Sequence, residues 1–597
     1  MGLLQKAIET YDAHVGFVGK YIEGKTVLAP IGHIVTRADI EITLNQDGEF
    51  CGARRIDKHA PKIIIPATES SAGRTSGICA HPLCDQLKYL APNDVERHDA
   101  FMRQFSAWCN SSFAHPKLKP ILNYLRHESI LKDLFATQII SEEENKDIEK
   151  LLVCWRVIGL NDGMPSACWQ DQSLFEAFNQ FYAEQQKQAS VAICMVSGKE
   201  SSVAQQHPKG VIPFYGNAKL ISSNDTSGFT YLGRFTANDQ AAQISYEASQ
   251  KAHNALRWLA SEQGAQAVYG GRTFLCWNPK GKKVPQCTSV FMSSPPVTQK
   301  QSDYLMQLKE TLQGYQSRLP ESADVVIAVF DAATSGRLAL TCYRELRGSD
   351  FLSRLYDWDA LCCWPNGVFG IQSPGLYQIV NCAFGNRQED KGKTILKTDD
   401  KVLSQQMQRL VACRIDRSPM PSDIVKAVTN RASVLFIYDM NLRRNILFVA
   451  CAVIRKYRFE KYKEEWKMYL EPEKRDRSYQ FGRLLAIFEK AERDTYGSDE
   501  DREPNAIRQQ AIFCQRPMYA AGNIEKQLEQ AYFPRLKPRG RMFYKKLIGQ
   551  IMEQISAFPK EEWNLPLSET YLMGYYLQRN DLYTAKNNEN TEETENG

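Results

Sequence analysis

Beyond about residue 400, apolar side chains recur every three to four positions almost without interruption, and that period commits this part of the chain to packed helices. Three stripes are clearest: Phe481, Leu484, Leu485 and Phe488; then Phe543, Leu547, Ile548, Ile551, Ile555 and Phe558; then Tyr571, Leu572, Tyr575 and Tyr576. Each buries one face of a helix and together they describe a bundle. The earlier part of the chain has no single period. Residues 38–44 alternate polar and apolar, turn at Asp47-Gly48 and return through residues 49–55, the pattern of a β-hairpin. Residues 62–66 (Lys-Ile-Ile-Ile-Pro) predict a buried strand, and residues 191–196 (Val-Ala-Ile-Cys-Met-Val) a core strand. Between them, residues 94–190 are mostly helical by period, with Phe101, Phe105, Trp108, Leu122 and Leu125 pointing inward. A helix capped by Asn238 and stopped at Gly264 follows, and residues 324–331 and 337–346 form a second hairpin.

The expected fold is therefore α+β. A mixed α/β region with short sheets and hairpins covers residues 1–400, a helical connection 401–467, and a helical bundle 468–586. Residues 587–597, polar, acidic and without apolar side chains, are expected to lack structure. A chain of 597 residues is too long for one hydrophobic core, so two to four domains are expected.

Composition excludes more than it identifies. Lys and Arg exceed Asp and Glu by only five, so an anionic partner has to be argued from local clusters. The 16 cysteines form no C-x-x-C pair and suit reduced thiols better than a zinc site, so no metal or other cofactor is expected. No apolar run approaches the roughly 18 residues of a membrane span, and the first residues contain no signal-like segment, which predicts a cytosolic protein without a membrane partner. Phosphate-loop, dinucleotide and metalloprotease signatures are missing: Gly281-Lys282-Lys283 has Cys276 where a phosphate loop needs its first glycine. Asp357 and Asp359 lack further metal ligands, and His253 suits packing better than base catalysis. Nothing supports an enzyme, although a nuclease with an unfamiliar site stays open.

Three segments stand out instead. In residues 68–81, Ser70, Ser71, Gly73, Arg74, Thr75 and Ser76 combine hydroxyls, a glycine that permits close approach and a planar cationic fork. In residues 216–235, Asn217, Lys219, Ser223, Asn224, Thr226 and Ser227 form a dense set of small donors and acceptors. The first also reads as a glycine-rich surface connection and the second as an Asx-rich turn capping itself. In residues 535–546, Arg535, Lys537, Arg539, Arg541, Lys545 and Lys546 stand beside Phe543 and Tyr544 with no acid among them. Charge there can follow a single strand while aromatic rings stack on bases, or the segment is simply a solvated face.

Longer stretches carry a resemblance. Residues 65–77 (Ile-Pro-Ala-Thr-Glu-Ser-Ser-Ala-Gly-Arg-Thr-Ser-Gly), 81–87, 231–235 with 245–259, 336–340 and 571–579 are similar to the large subunit of the type I-C CRISPR surveillance complex, Cascade. The resemblance runs nearly the whole chain. It implies an α/β region followed by a helical bundle, and assembly with crRNA, backbone subunits, the crRNA-processing subunit and small subunits. It further implies a non-catalytic role: inspecting the protospacer-adjacent motif (PAM) of double-stranded target DNA, opening the strands into an R-loop, guiding the displaced strand and helping to recruit a helicase–nuclease. The first two segments then become PAM loops and the third a path for the displaced strand. Such systems also translate a small subunit from within the large-subunit gene, and Met468 is the candidate start, since Lys463-Glu464-Glu465 can be encoded as a purine-rich ribosome-binding sequence.

Overall fold

The computed structural model describes all residues except Met1 and residues 23–24, 75–76, 142–147, 187–190, 223–231, 233, 237, 262–263, 292–299, 335, 498–501 and 596–597. The fold is α+β, with short sheets in the N-terminal half and helices dominating the C-terminal part. It separates into two compact units. The first comprises Met1–Ala267, Arg272–Val284 and Asp324–Glu345; the second comprises Val268–Gly271, Pro285–Ala323 and Leu346–Gly597. The boundaries drawn from sequence at 400 and 467 both fall inside the second unit.

In the first unit, the strand Ile40–Leu44 is the centre of a three-stranded sheet. It pairs antiparallel with Phe50–Arg55 across the expected turn, where Gly48 takes a φ of +92°. Its other edge pairs parallel with Val153–Val157, Ile42 opposite Trp155. This strand lies within the segment whose period suggests helices. Its apolar run is short and buried, and such a run has no periodicity to separate strand from helix. The helices Val95–Cys109, Leu118–Arg126 and Gln172–Gln186 cover the sheet, with Phe101, Phe105, Trp108, Leu122 and Leu125 in the core as expected. Residues 191–196 differ from expectation. Val191–Ile193 is a short strand paired, among the described residues, only with Glu200–Ser202, and Val191 and Ile193 are 56% and 66% exposed. The outer face of this hairpin is open to solvent, so an apolar run alone did not make a core strand.

A second core in this unit joins Leu3, Ala7 and Tyr11 of the first helix to Ala252, Ala255 and Leu256. Beneath them, Asp324–Thr334 pairs with Arg272–Trp277, Val326 opposite Trp277. The helix expected from Asn238 is broken. Asn238–Ala241 is one short turn, and the long helix, Tyr246–Leu259, is capped by Ser245, whose hydroxyl accepts from the Ala248 amide at 3.2 Å. The Ser245 hydroxyl supplies the acceptor that the first helical amides lack.

The second unit is organised around two helices buried on nearly every side, Met440–Tyr462 and Arg477–Arg493. Phe481, Leu484, Leu485 and Phe488 are fully buried, as are Tyr571, Leu572 and Tyr575 on the last helix. Two glycines let these helices touch backbone to backbone. A Cβ on Gly574 would stand 2.1 Å from the Tyr479 carbonyl oxygen, and one on Gly482 1.9 Å from that of Tyr571. In Pro538–Ser556, Ile548, Ile551 and Ile555 are buried as their spacing predicts, but at the start of the stripe Tyr544 is buried and Phe543 is 50% exposed. The Tyr544 hydroxyl donates to Asp494 at 2.5 Å, which fixes the helix rotation. The last helix, Tyr571–Glu595, continues through residues expected to form an unstructured tail. Once its first turns are packed, each added turn needs no new nucleation. No helix among the described residues is long and apolar enough to cross a membrane.

Candidate nucleic-acid interface

The first segment is built on a tightly capped turn. After the strand Ile63–Pro66, Thr68 caps the short helix Glu69–Gly73. Its hydroxyl accepts from the Ser71 amide at 3.2 Å, and the Ser71 hydroxyl accepts from the Thr68 amide at 2.9 Å. Ser71 is thereby buried, and it also bonds His81 Nδ1 at 3.0 Å. Ser70 stays exposed. The buried Glu69 carboxylate accepts from the amides of Gln205 and Gln206 at 3.1 and 3.4 Å, which draws residues 205–210 alongside. At Gly73 a Cβ would lie 2.8 Å from Gln206 Oε1, so glycine permits this close approach.

Arg74 does not reach outward. Its guanidinium forms a fork with the fully buried Asp85 at 2.9 and 2.5 Å, donates to the Cys79 carbonyl at 2.9 Å and lies 4.5 Å over the Tyr89 ring. Asp85 also accepts from the amides of His81 and Gln86, both at 2.7 Å. Arg74 thus ties its own loop shut.

The second segment meets the first. Lys219 bridges Lys209 on one side and Arg337 on the other; its amide donates to Gly336 at 2.9 Å, and its carbonyl accepts from Leu338 at 2.9 Å. Gly210, at φ +62°, makes the turn that returns the chain to Ala218. The half-buried Arg257 anchors that turn by donating to the carbonyls of Gly210 and Lys209 at 3.0 and 2.6 Å, and desolvation pushes its pKa down to about 10. The Lys209 ammonium donates to the Arg74 carbonyl, and Lys219 Nζ lies 3.9 Å from where a Gly73 Cβ would be. Arg74, Lys209 and Lys219 therefore share one patch. Asn217 is exposed two residues before Lys219.

Burial lowers the pKa of both lysines, and Lys209 is lowered further by Lys219 and Arg74. Neither ammonium has a carboxylate partner among the described residues. His81 and His207 nearby are held neutral by burial, with pKa values pushed down to about 4. Partly desolvated like charges without a counter-ion favour an incoming anion. Lys209 was not apparent from sequence, because only its pairing with Lys219 distinguishes it from other surface lysines. Thr75, Ser76, Ser223, Asn224, Thr226 and Ser227 lie outside the described residues.

The third segment belongs to the second unit. Arg535, Lys537, Arg539, Arg541, Lys545 and Lys546 are all exposed around the start of the helix Pro538–Ser556. Lys545 pairs with Glu529 at 2.7 Å, and Arg535 lies 5.9 Å over the Tyr532 ring. The aromatic ring available for stacking is Phe543, since Tyr544 is buried. Met468 is buried, its sulfur 4.0 Å from that of Cys363. Asp359 is engaged by Arg414 at 2.8 Å and Asp357 by Arg417 at 2.6 Å. Among the described residues no group of three or more His, Cys, Asp or Glu side chains is arranged to hold a metal ion, and all 16 cysteines are free thiols.

No curated protein matches the chain. A family model described as CRISPR-associated protein (Cas_Csd1) matches residues 15–583. With that extent of match, the chain belongs to the Cas_Csd1 family of CRISPR-associated proteins.

Proposed function

We infer that this protein is the non-catalytic large subunit of a type I-C CRISPR surveillance complex, and that its first unit inspects the PAM of double-stranded target DNA. The observation that carries this reading is the convergence of Lys209 and Lys219 on the Gly73–Arg74 turn, two half-buried ammonium groups without a carboxylate among the described residues. Phosphate oxygens supply the missing counter-charge and fix register, while Ser70 and Asn217, exposed on the same two segments, offer hydroxyl and amide groups to base edges. Guide pairing carries the rest of the specificity, so few base contacts are needed. The exposed basic helix start in the second unit guides the displaced strand. The partners are crRNA, backbone, processing and small subunits, and the helicase–nuclease that acts on the finished R-loop; the setting is cytoplasmic.

The test uses the assembled complex. Lys209→Gln with Lys219→Gln should weaken binding to PAM-bearing duplex by about tenfold or more and lower the salt slope by about one for each phosphate no longer neutralised. Unchanged affinity and slope would remove this patch from the interface. Neutralising Lys537, Arg539 and Arg541 should flatten the salt dependence of R-loop affinity and leave PAM preference intact. A changed preference would move that cluster to the other end of the DNA. DNA incubated with the protein alone and a divalent metal should stay intact; chelator-sensitive cleavage would favour a nuclease instead.

A further inference from the structure

We propose that the second unit carries an anion pocket for a phosphate monoester on a planar carrier, such as a nucleoside monophosphate or the 5′-phosphorylated end of a strand. The proposal is independent of the DNA-inspecting role of the first unit. A cavity of about 230 Å³ is lined by Arg443, Arg444, Arg493 and Arg579, drawn from the helices Met440–Tyr462, Arg477–Arg493 and Tyr571–Glu595.

The charges there do not balance. Arg443 pairs with Glu503 at 2.8 Å and donates to the Tyr438 and Phe436 carbonyls at 2.6 and 3.1 Å. Arg493 and Arg579 share the buried carboxylate of Glu489, at 2.9 and 3.3 Å, and Arg493 also reaches Glu503, at 3.5 Å. The Tyr575 hydroxyl donates to the same carboxylate at 2.5 Å. Burial opposes ionisation of Glu489, but the two arginines and the tyrosine outweigh it and hold its pKa below the usual value. Arg444 has no carboxylate partner among the described residues. It reaches Asn441 Oδ1, at 3.4 Å, and its guanidinium lies 4.8 Å over the Phe369 ring.

Among the described residues, four guanidinium groups therefore face two carboxylates, which leaves two positive charges in a partly enclosed space. A dianionic phosphate monoester matches that excess, and the planar arginine fork suits its oxygens. Leu435, Met440, Leu447 and Ile507 complete the lining with apolar surface, which a naked inorganic ion would leave unused. The volume lies below the roughly 300–1,000 Å³ of drug-sized sites, which limits the carrier to about one nucleotide.

The experiment is calorimetric titration of the full chain with adenosine monophosphate, inorganic phosphate and a short 5′-phosphorylated oligonucleotide. The nucleotide should bind saturably and more tightly than phosphate. Arg444→Gln should weaken it by tenfold or more, and Arg444→Lys by less. Arg409→Gln, which removes a surface partner of Asp423, should change nothing. Tighter binding of the phosphorylated oligonucleotide than of its unphosphorylated form and of the free nucleotide would identify a strand end as the ligand; the reverse order would identify a free nucleotide. Should Arg444→Gln fold poorly, phenylglyoxal labelling of the unaltered chain gives the answer, with nucleotide protecting Arg444. Absence of saturable binding, equal affinity in Arg444→Gln, or undiminished labelling of Arg444 would overturn the proposal.

Discussion

Arg74→Ala tests whether the first loop is held by its own ion pair or waits for DNA. From sequence, Arg74 is a fork in a surface loop, and its removal should cost little stability. The structure gives it a different part: its side chain is 16% exposed and its partner Asp85 fully buried. Removing one member of a buried pair costs about 3–5 kcal/mol, because the other charge is left uncompensated. Two features reduce that figure here. Asp85 keeps the amides of His81 and Gln86, and Arg74 is partly solvated. Removing the guanidinium from the face of Tyr89 adds about 0.5–1 kcal/mol. A net destabilisation of about 2–4 kcal/mol follows, or about 3–6 °C in the midpoint of a unit of this size. Scanning calorimetry of the full chain reads it as a downward shift of one transition. Asp85→Asn in the same background should restore part of that stability, with a coupling of about 1–3 kcal/mol. An Arg74→Ala protein with unchanged melting but weakened DNA binding would refute the reasoning and return the guanidinium to the DNA.

The remaining expectations concern acid, helix contact and the internal start. All nine histidines lie in the first unit, and burial lowers His33, His81 and His207 to about 4 and His253 to about 3. Their folded pKa values lie below the unfolded one, so the unfolded chain takes up protons first as pH falls below about 6.5. The first unit should lose on the order of 1–2 kcal/mol per buried histidine by about pH 5, while the second changes little; a flat pH profile of its melting between 7 and 5 would contradict this. Gly574→Ala should destabilise the second unit by about 3 kcal/mol or more, because its methyl meets the rigid Tyr479 backbone; a change below about 1 kcal/mol in denaturant melts would show that the helices separate easily. Met468→Leu should abolish a C-terminal fragment of the purified complex seen on mass spectrometry; persistence of the same fragment would exclude this start. Such a fragment, made without residues 1–467, would expose the face of the last helix that Cys451 and Pro365 touch, so alone it should melt below the full chain's second unit.

What the sequence determined by itself is the part governed by local periodicity and turn chemistry. The stripes of Phe481–Phe488 and Tyr571–Tyr576, the hairpin turning at Asp47-Gly48 and the hairpin on either side of residue 335 all form where their patterns place them. Each depends on neighbours a few residues away, and the chain's own period states which face is buried. The strand Val153–Val157 was not legible, because its apolar run becomes a strand only beside Ile40–Leu44, more than a hundred residues earlier. In Pro538–Ser556 the spacing of Ile548, Ile551 and Ile555 was legible, but not that Tyr544 rather than Phe543 is buried at its start, since the two are equally apolar until Asp494 accepts the hydroxyl of one.

The same division runs through the candidate site. Its loops were visible as clusters of glycine, hydroxyl and basic residues, but composition does not say which cation is free. Tertiary structure decided that Arg74 is spent on Asp85 and that Lys209, unremarkable in sequence, stands beside Lys219. Charge balance is summed over space rather than along the chain, and so only the folded molecule reveals where two ammonium groups lack a counter-charge among the described residues.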